Sequence, residues 1–246
     1  MTYEISSDER FASSLGYIMR RVSCDGVVCE ITTDLDRSTL VLRSKADLTA
    51  ILYDALSDII IADCKAFYIN ERIKLPIRDR LCACAFTSVL SAFDRDTDKI
   101  IAKTIIRLTE KINLDSLYEF GLYLLKNRWD EVIHLANENI CYLVCQKTFM
   151  ELLRFLISNV DVISEEAHIV QTGERLEVLG VGLTPIENIY INESLPNDIQ
   201  IVNKLVAIAP KKIFLHTENS TLHNTIQEIF SGVAQVNFVA QTNQAL

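Results

Sequence analysis

The chain has 246 residues, 49% of them hydrophobic and 23% charged, with 7 glycines, 4 prolines and 7 cysteines. That composition excludes disordered and fibrous classes, and so little glycine and proline argues against a loop-rich all-β fold, so helix should dominate. The formal charge of −9 argues against nucleic acid as a partner, because that affinity comes from Lys and Arg neutralising phosphates, and the nearest basic groups are only the pairs Arg20-Arg21 and Lys211-Lys212.

The N-terminal MTYEISSDER carries no basic n-region and no apolar h-region, so it does not read as a signal peptide. SDERFASSLGYIMRR (7–21) predicts a first helix: Ser7 or Asp8 can cap it, and Phe11, Leu15, Ile18 and Met19 fall at helical spacing. DGVVCEITTD and STLVLRS, parted by the polar residues 34–37, predict a hairpin. Residues 47–69 predict a long helix with one stripe of Leu48, Ile51, Leu52, Ala55, Leu56 and Ile59, leaving Asp54 and Asp58 off it.

After Pro76 the pattern is helical through residue 160. Residues 77–93 are apolar nearly all round and predict a central buried helix; their apolar run stops short of the ~20 residues that span a bilayer. Acidic residues 94–98 open the next helix, Asn113 or Asp115 caps another running to Lys126, and residues 129–146 and 149–158 complete a bundle-like region. Near Asp161 the period changes. EAHIVQ, RLEVLG and ENIYIN read as short strands, with Gly173, Gly180 and Gly182 at turns. A helix at 197–209, the strand KKIFLH, a helix at 220–230 and the strand VAQVNFV close the chain, so strands 211–216 and 233–239 should be parallel. The expectation is an α+β fold, mostly helical: a central helical bundle (76–160) flanked by a small N-terminal α/β unit (1–75) and a C-terminal α/β unit (161–246) with a βαβ ending.

Few residues suggest chemistry. His134, Glu138, Cys141 and Cys145 share one helix face, but His134 and Cys145 lie roughly 16 Å apart along the axis, too far for one ion. A helix face facing a bundle core, where free cysteine commonly sits, is the simpler account. Cys82 and Cys84 point to different helix faces, Cys24 and Cys29 fit no zinc spacing, and no C-x-x-C occurs, so no metal site is expected. An odd cysteine count without a secretion signal reads as reduced thiols. Phosphate-binding glycine loops, G-x-S-x-G and H-E-x-x-H are missing too, and no cofactor is implied. Two histidines near strands remain, His168 and His216. The end of a parallel strand is a common ligand position, and Thr217 and Ser220 would add hydroxyls beside the N-terminus of the following helix, so His216, Thr217 and Ser220 are the candidate ligand-binding residues. A histidine that merely tips a core strand is the competing account.

Residues 114–158, LDSLYEFGLYLLKNRWDEVIHLANENICYLVCQKTFMELLRFLIS, resemble the helical signature of the YtxC-like sporulation proteins. Phe149, Leu152, Leu153, Phe155 and Leu156 stand where that signature has its FxxLLxxF-type helix. AHIV (167–170) follows at the matching interval, and IVNKLVAIAPKKIFLHTENSTLHNTIQEIF (201–230), ending its strand on His216, is similar to the family's closing βα unit. Before residue 114 only the general layout is similar. The resemblance implies a sporulation role in the cytoplasm of an endospore-forming bacterium, and no reaction. The family's C-terminal cysteine cluster has no counterpart after Cys145, so a metal or redox role does not carry over.

Three functions then make different demands. A non-enzymatic protein acting by binding a protein partner, the reading the sequence favours, needs an exposed apolar patch and no deep polar pocket. A small-ligand binder or enzyme at the strand-end crevice needs a concave pocket holding His216, Thr217 or Ser220 with a converging carboxylate. Nucleic-acid binding needs a basic face.

Overall fold

The computed structural model describes residues 1–23, 26–75, 79–140, 146–173, 175–186 and 189–239. In chain order the elements are β1 (Thr2–Asp8), α1 (Ala12–Val22), β2 (Val27–Asp34), β3 (Arg37–Ser44), α2 (Thr49–Ile59), a π-helical segment (Ile60–Cys64), α3 (Lys65–Arg72), α4 (Arg80–Ala92) and α5 (Arg95–Ile105). There follow β4 (Lys111–Asn113), α6 (Leu114–Ser116), a second π segment (Leu117–Gly121), α7 (Tyr123–Ile140), α8 (Gln146–Ser158), β5 (Glu166–Thr172), β6 (Arg175–Leu179), α9 (Asn197–Ile208), β7 (Lys212–His216), α10 (Ser220–Phe230) and β8 (Gln235–Phe238). The fold is α+β and mostly helical, with two small mixed sheets. Among the described residues no helix is long and apolar enough to cross a membrane.

The chain forms two compact units, each built from two segments: Met1–Glu71 with Asp94–Val132, and Arg72–Phe93 with Ile133–Leu246. These cut across the three consecutive segments expected from the sequence, and the middle helices divide between the units instead of forming one bundle. In unit 1 the strand order is β2-β3-β1-β4, with β3 antiparallel to β1 and β4 parallel to it. Two of these strands are absent from the sequence reading. Residues 2–8 form β1 where a helix was expected from residue 7; the helix starts only at Ala12, and neither Ser7 nor Asp8 caps it. Ser7 instead is buried in the strand and donates to Asp115 Oδ2 at 3.0 Å, while the Asp8 N–H donates to the same oxygen at 2.8 Å. This clasp holds β4, three residues long, beside β1.

Helix α1 packs on β1 and β3, α2 packs on α1, and α5 packs on α2. Lys65, fully buried, sits directly after the first π segment, whose extra residue re-aims the side chains that follow. Its Nζ donates to Asp98 Oδ2 at 2.8 Å; the same oxygen accepts Trp129 Nε1–H at 2.9 Å, and Asp98 Oδ1 accepts Arg128 Nε–H at 3.2 Å. Burial pulls the Lys65 ammonium below its usual 10.5, and Asp98 opposes that.

In unit 2 the sheet order is β6-β5-β7-β8, with β5, β7 and β8 parallel and β6 antiparallel to β5. α9 packs on β6 and α10 on β8, while α4 packs on both helices and on α8. Of the strand expected at 187–192, residues 187 and 188 lie outside the described residues, and residues 189–192 carry no strand. Leu179 makes an isolated antiparallel bridge to Pro185.

Removing the carboxylate shared by Lys65, Trp129 and Arg128 strands a buried ammonium. Asp98→Ala should lower unfolding free energy by about 3–5 kcal/mol in denaturant titration. A loss near that of a surface substitution would show that the network does not hold unit 1.

Candidate functional site

Strand alternation divides the unit 2 sheet into two faces. Ala167, Ile169, Val178, Ile213 and Leu215 are buried on one face. Glu166, His168, Lys212, Phe214 and His216 therefore lie on the other. The parallel register pairs Glu166 with Lys212, His168 with Phe214 and Val170 with His216, so the two histidines are diagonal neighbours.

They meet directly. His168 Nδ1 and His216 Nε2 are 3.1 Å apart. The ring centroids are 5.3 Å apart with 28° between planes. The centroid distance exceeds the nitrogen distance by about two ring radii, so the nitrogens face each other head-on, as a shared N–H···N hydrogen bond requires. A zinc ion would sit at about 2.0–2.1 Å from each nitrogen and off the line between them, so both rings would have to swing to admit one. At 3.1 Å one ring's N–H can donate to the bare nitrogen of the other, the donor being set by the tautomer. His168 is also stacked on Phe214, with centroids 4.7 Å apart and 10° between planes, and its Nε2 lies 3.9 Å from Glu166 Oε2. Glu166 in turn pairs with Lys212 at 3.0 Å.

Neither hydroxyl joins this pair. Thr217 is buried, and its Oγ1 accepts the Asn219 N–H at 3.3 Å within the turn. Ser220 is exposed. Asn219 caps α10: its Oδ1 accepts the Leu222 N–H at 3.0 Å, and its carbonyl accepts the His223 N–H at 3.0 Å. What the structure adds to His216 is a second imidazole on the sheet face, His168. That residue was visible in the sequence as a strand histidine; only the β5–β7 register reveals the contact.

The other sequence candidates are dispersed. His134 and Glu138 form an exposed pair at 3.3 Å, with side chains 73% and 58% exposed, so a core-facing role does not hold for these two. Cys141 and Cys145, like Cys24, lie outside the described residues. Cys82 is buried and its thiol pushed up to about 12, chiefly by burial, and burial likewise raises the half-buried Cys84. Among the described residues no group of three His, Cys, Asp or Glu side chains is arranged to hold a metal ion.

Unit 1 holds an open recess of about 580 Å³ lined by Asp8, Glu9, Arg10, Asp36, Asp115 and Glu119. Three of its five acids have structural partners: Asp115 takes the β1 clasp, Glu119 pairs with Arg10 at 2.7 Å and Asp8 lies 3.7 Å from Arg37. Beside Glu119 the chain exposes large apolar side chains, Phe120 (82%), Tyr123 (62%) and Leu124 (42%), while Tyr118, Leu122 and Leu125 are buried.

Comparison with family models, with curated proteins and with solved structures finds no match to this chain.

His216 makes stability depend on pH. The His216 pKa lies below its usual 6.5, first because burial disfavours the charged ring and second because His168 is beside it. Unfolded His216 takes up a proton that the folded chain resists. The contribution of this group is therefore whole above pH 6.5 and is lost as pH falls through the lower folded value. His216→Gln should flatten the fall in denaturation midpoint on acidification below pH 6.5. An unchanged slope would exclude His216 as its source.

Proposed function

We propose that this chain is a cytoplasmic protein of bacterial sporulation that acts by binding a protein partner, and that it docks through Phe120, Tyr123 and Leu124. The observation that carries the binding part is the exposure of two aromatic rings and a leucine within five consecutive residues. Single exposed apolar residues are ordinary on any surface, but adjacent large ones are what binding surfaces supply, with aromatic anchors foremost. The sporulation context rests on the resemblance of residues 114–158 and 201–230 to the YtxC-like proteins, and these three side chains fall inside the first of those stretches.

A second reading has one observation in its favour. The His168–His216 pair, stacked on Phe214 and close to Glu166, is a polar cluster on a sheet face suited to a small ligand or to proton transfer. Of the three residues any one of which this reading asks for, His216 belongs to the cluster, Thr217 is buried in the following turn and Ser220 is exposed.

The two readings separate genetically in an endospore-forming host that encodes this chain. Phe120→Glu with Tyr123→Glu should reduce spore yield to the level of a deletion while the protein accumulates normally, and His216→Ala should leave yield unchanged. The converse pattern would replace partner docking by the histidine site, and a deletion with normal yield would remove the sporulation role.

A further inference from the structure

Strand β2 stands first in the order β2-β3-β1-β4 and, among the described residues, pairs only with β3, in an unbroken register from Val27–Ser44 to Asp34–Arg37. Leu35 and Asp36 close the hairpin, so Asp34 and Arg37 exchange both backbone bonds. By alternation Thr32, Glu30 and Val28 also bond to β3, whereas Thr33, Ile31, Cys29 and Val27 turn their N–H and C=O groups to the open edge.

Soluble proteins usually blunt such an edge with a short strand, a proline, a lysine, a bulge or an inward-facing charge. β2 has none of these. It runs for 8 residues as VVCEITTD, contains neither Pro nor Lys, and carries Val, Cys, Ile and Thr at the four positions facing the helix side. Val28 is 59% exposed and Ile31 40%. We propose that β2 pairs antiparallel with β2 of a second copy about a twofold axis at Ile31, joining the two four-stranded sheets into one.

The sequence of the edge selects this occupant and register. A twofold antiparallel pairing keeps the helix-facing sides together only when residues of like orientation oppose each other. Of the two longest registers that do so, one is centred on Glu30 and sets that carboxylate against its own copy, which is unfavourable. The other, centred on Ile31, sets Ile31 against Ile31, Cys29 against Thr33, Glu30 against Thr32 and Val28 against Asp34. No like charges meet, and the opposed pairs Ile31–Ile31 and Cys29–Thr33 are those whose backbone groups face outward. This surface is separate from the one around Phe120, so the two proposals stand or fall independently.

Sedimentation velocity over a micromolar-to-millimolar concentration series tests it on the full chain. A reversible monomer–dimer equilibrium is expected. Ile31→Lys, which opposes two ammonium groups at the axis, and Thr33→Pro, which removes an outward N–H that β3 does not use, should each raise the dimer dissociation constant by about tenfold or more. In a Cys29→Ser background, Ile31→Cys should form a disulfide-linked dimer on mild oxidation. A monomer at every concentration, or a dimer indifferent to both Ile31→Lys and Thr33→Pro, would overturn the proposal.

Discussion

Each sheet has helices packed against it, and the two-residue repeat of an extended chain decides which side chains face them. In unit 2 this buries Ala167, Ile169, Ile213 and Leu215 and sends His168, Phe214 and His216 to the opposite face. Shifting β5 by one residue against β7 would bury an imidazole and expose an isoleucine, so the core that holds the register also brings the histidines together. The same alternation in unit 1 makes Ile31 both a helix-side residue and a backbone facing the open edge. The histidine contact and the open strand edge are by-products of core packing.

Unit 1 adds a second constraint. A carboxylate, an ammonium and an indole N–H are buried together, and each removes the reason the others would be costly to bury. Asp98 belongs to α5, Lys65 follows the first π segment, and Trp129 lies on α7. Three segments distant in sequence therefore share one electrostatic requirement. That is why residues 94–132 belong with the N-terminal strands, and why a division of the chain into consecutive segments does not describe the packing.

Periodicity made the long elements legible. The hairpin of β2 and β3, the helices α4, α9 and α10 and the parallel pairing of β7 with β8 follow from patterns spanning whole elements. β1 was hidden because TYEISSD has serine where a core strand would have an apolar residue, and Ser7 is buried only by virtue of Asp115, more than a hundred residues away. β4 is too short to show any period. The histidine contact was half legible: both residues could be placed on strands, but their adjacency depends on which strands are neighbours. The sequence placed His216, Thr217 and Ser220 together at a strand end, and it could not show that Asn219, next to Ser220, caps the following helix.

The exposure of Phe120 is enforced from the opposite side of its helix. Tyr118, two residues earlier, is anchored from several directions: its ring lies 5.4 Å from Phe11 and 5.6 Å from Phe67, and its hydroxyl lies 3.3 Å from Glu71 Oε2. The Arg10 guanidinium sits 5.2 Å from the ring and the Lys126 ammonium 4.0 Å, both within the range of cation–π attraction. Arg10 also grips the neighbouring Glu119. With Tyr118 held inward, and Leu122 and Leu125 buried after it, the segment has no rotation left that would hide Phe120 without surrendering those contacts. An aromatic ring kept in water by packing this specific differs from one exposed by a frayed terminus: its position is fixed before any partner arrives, so docking on it would cost little ordering entropy.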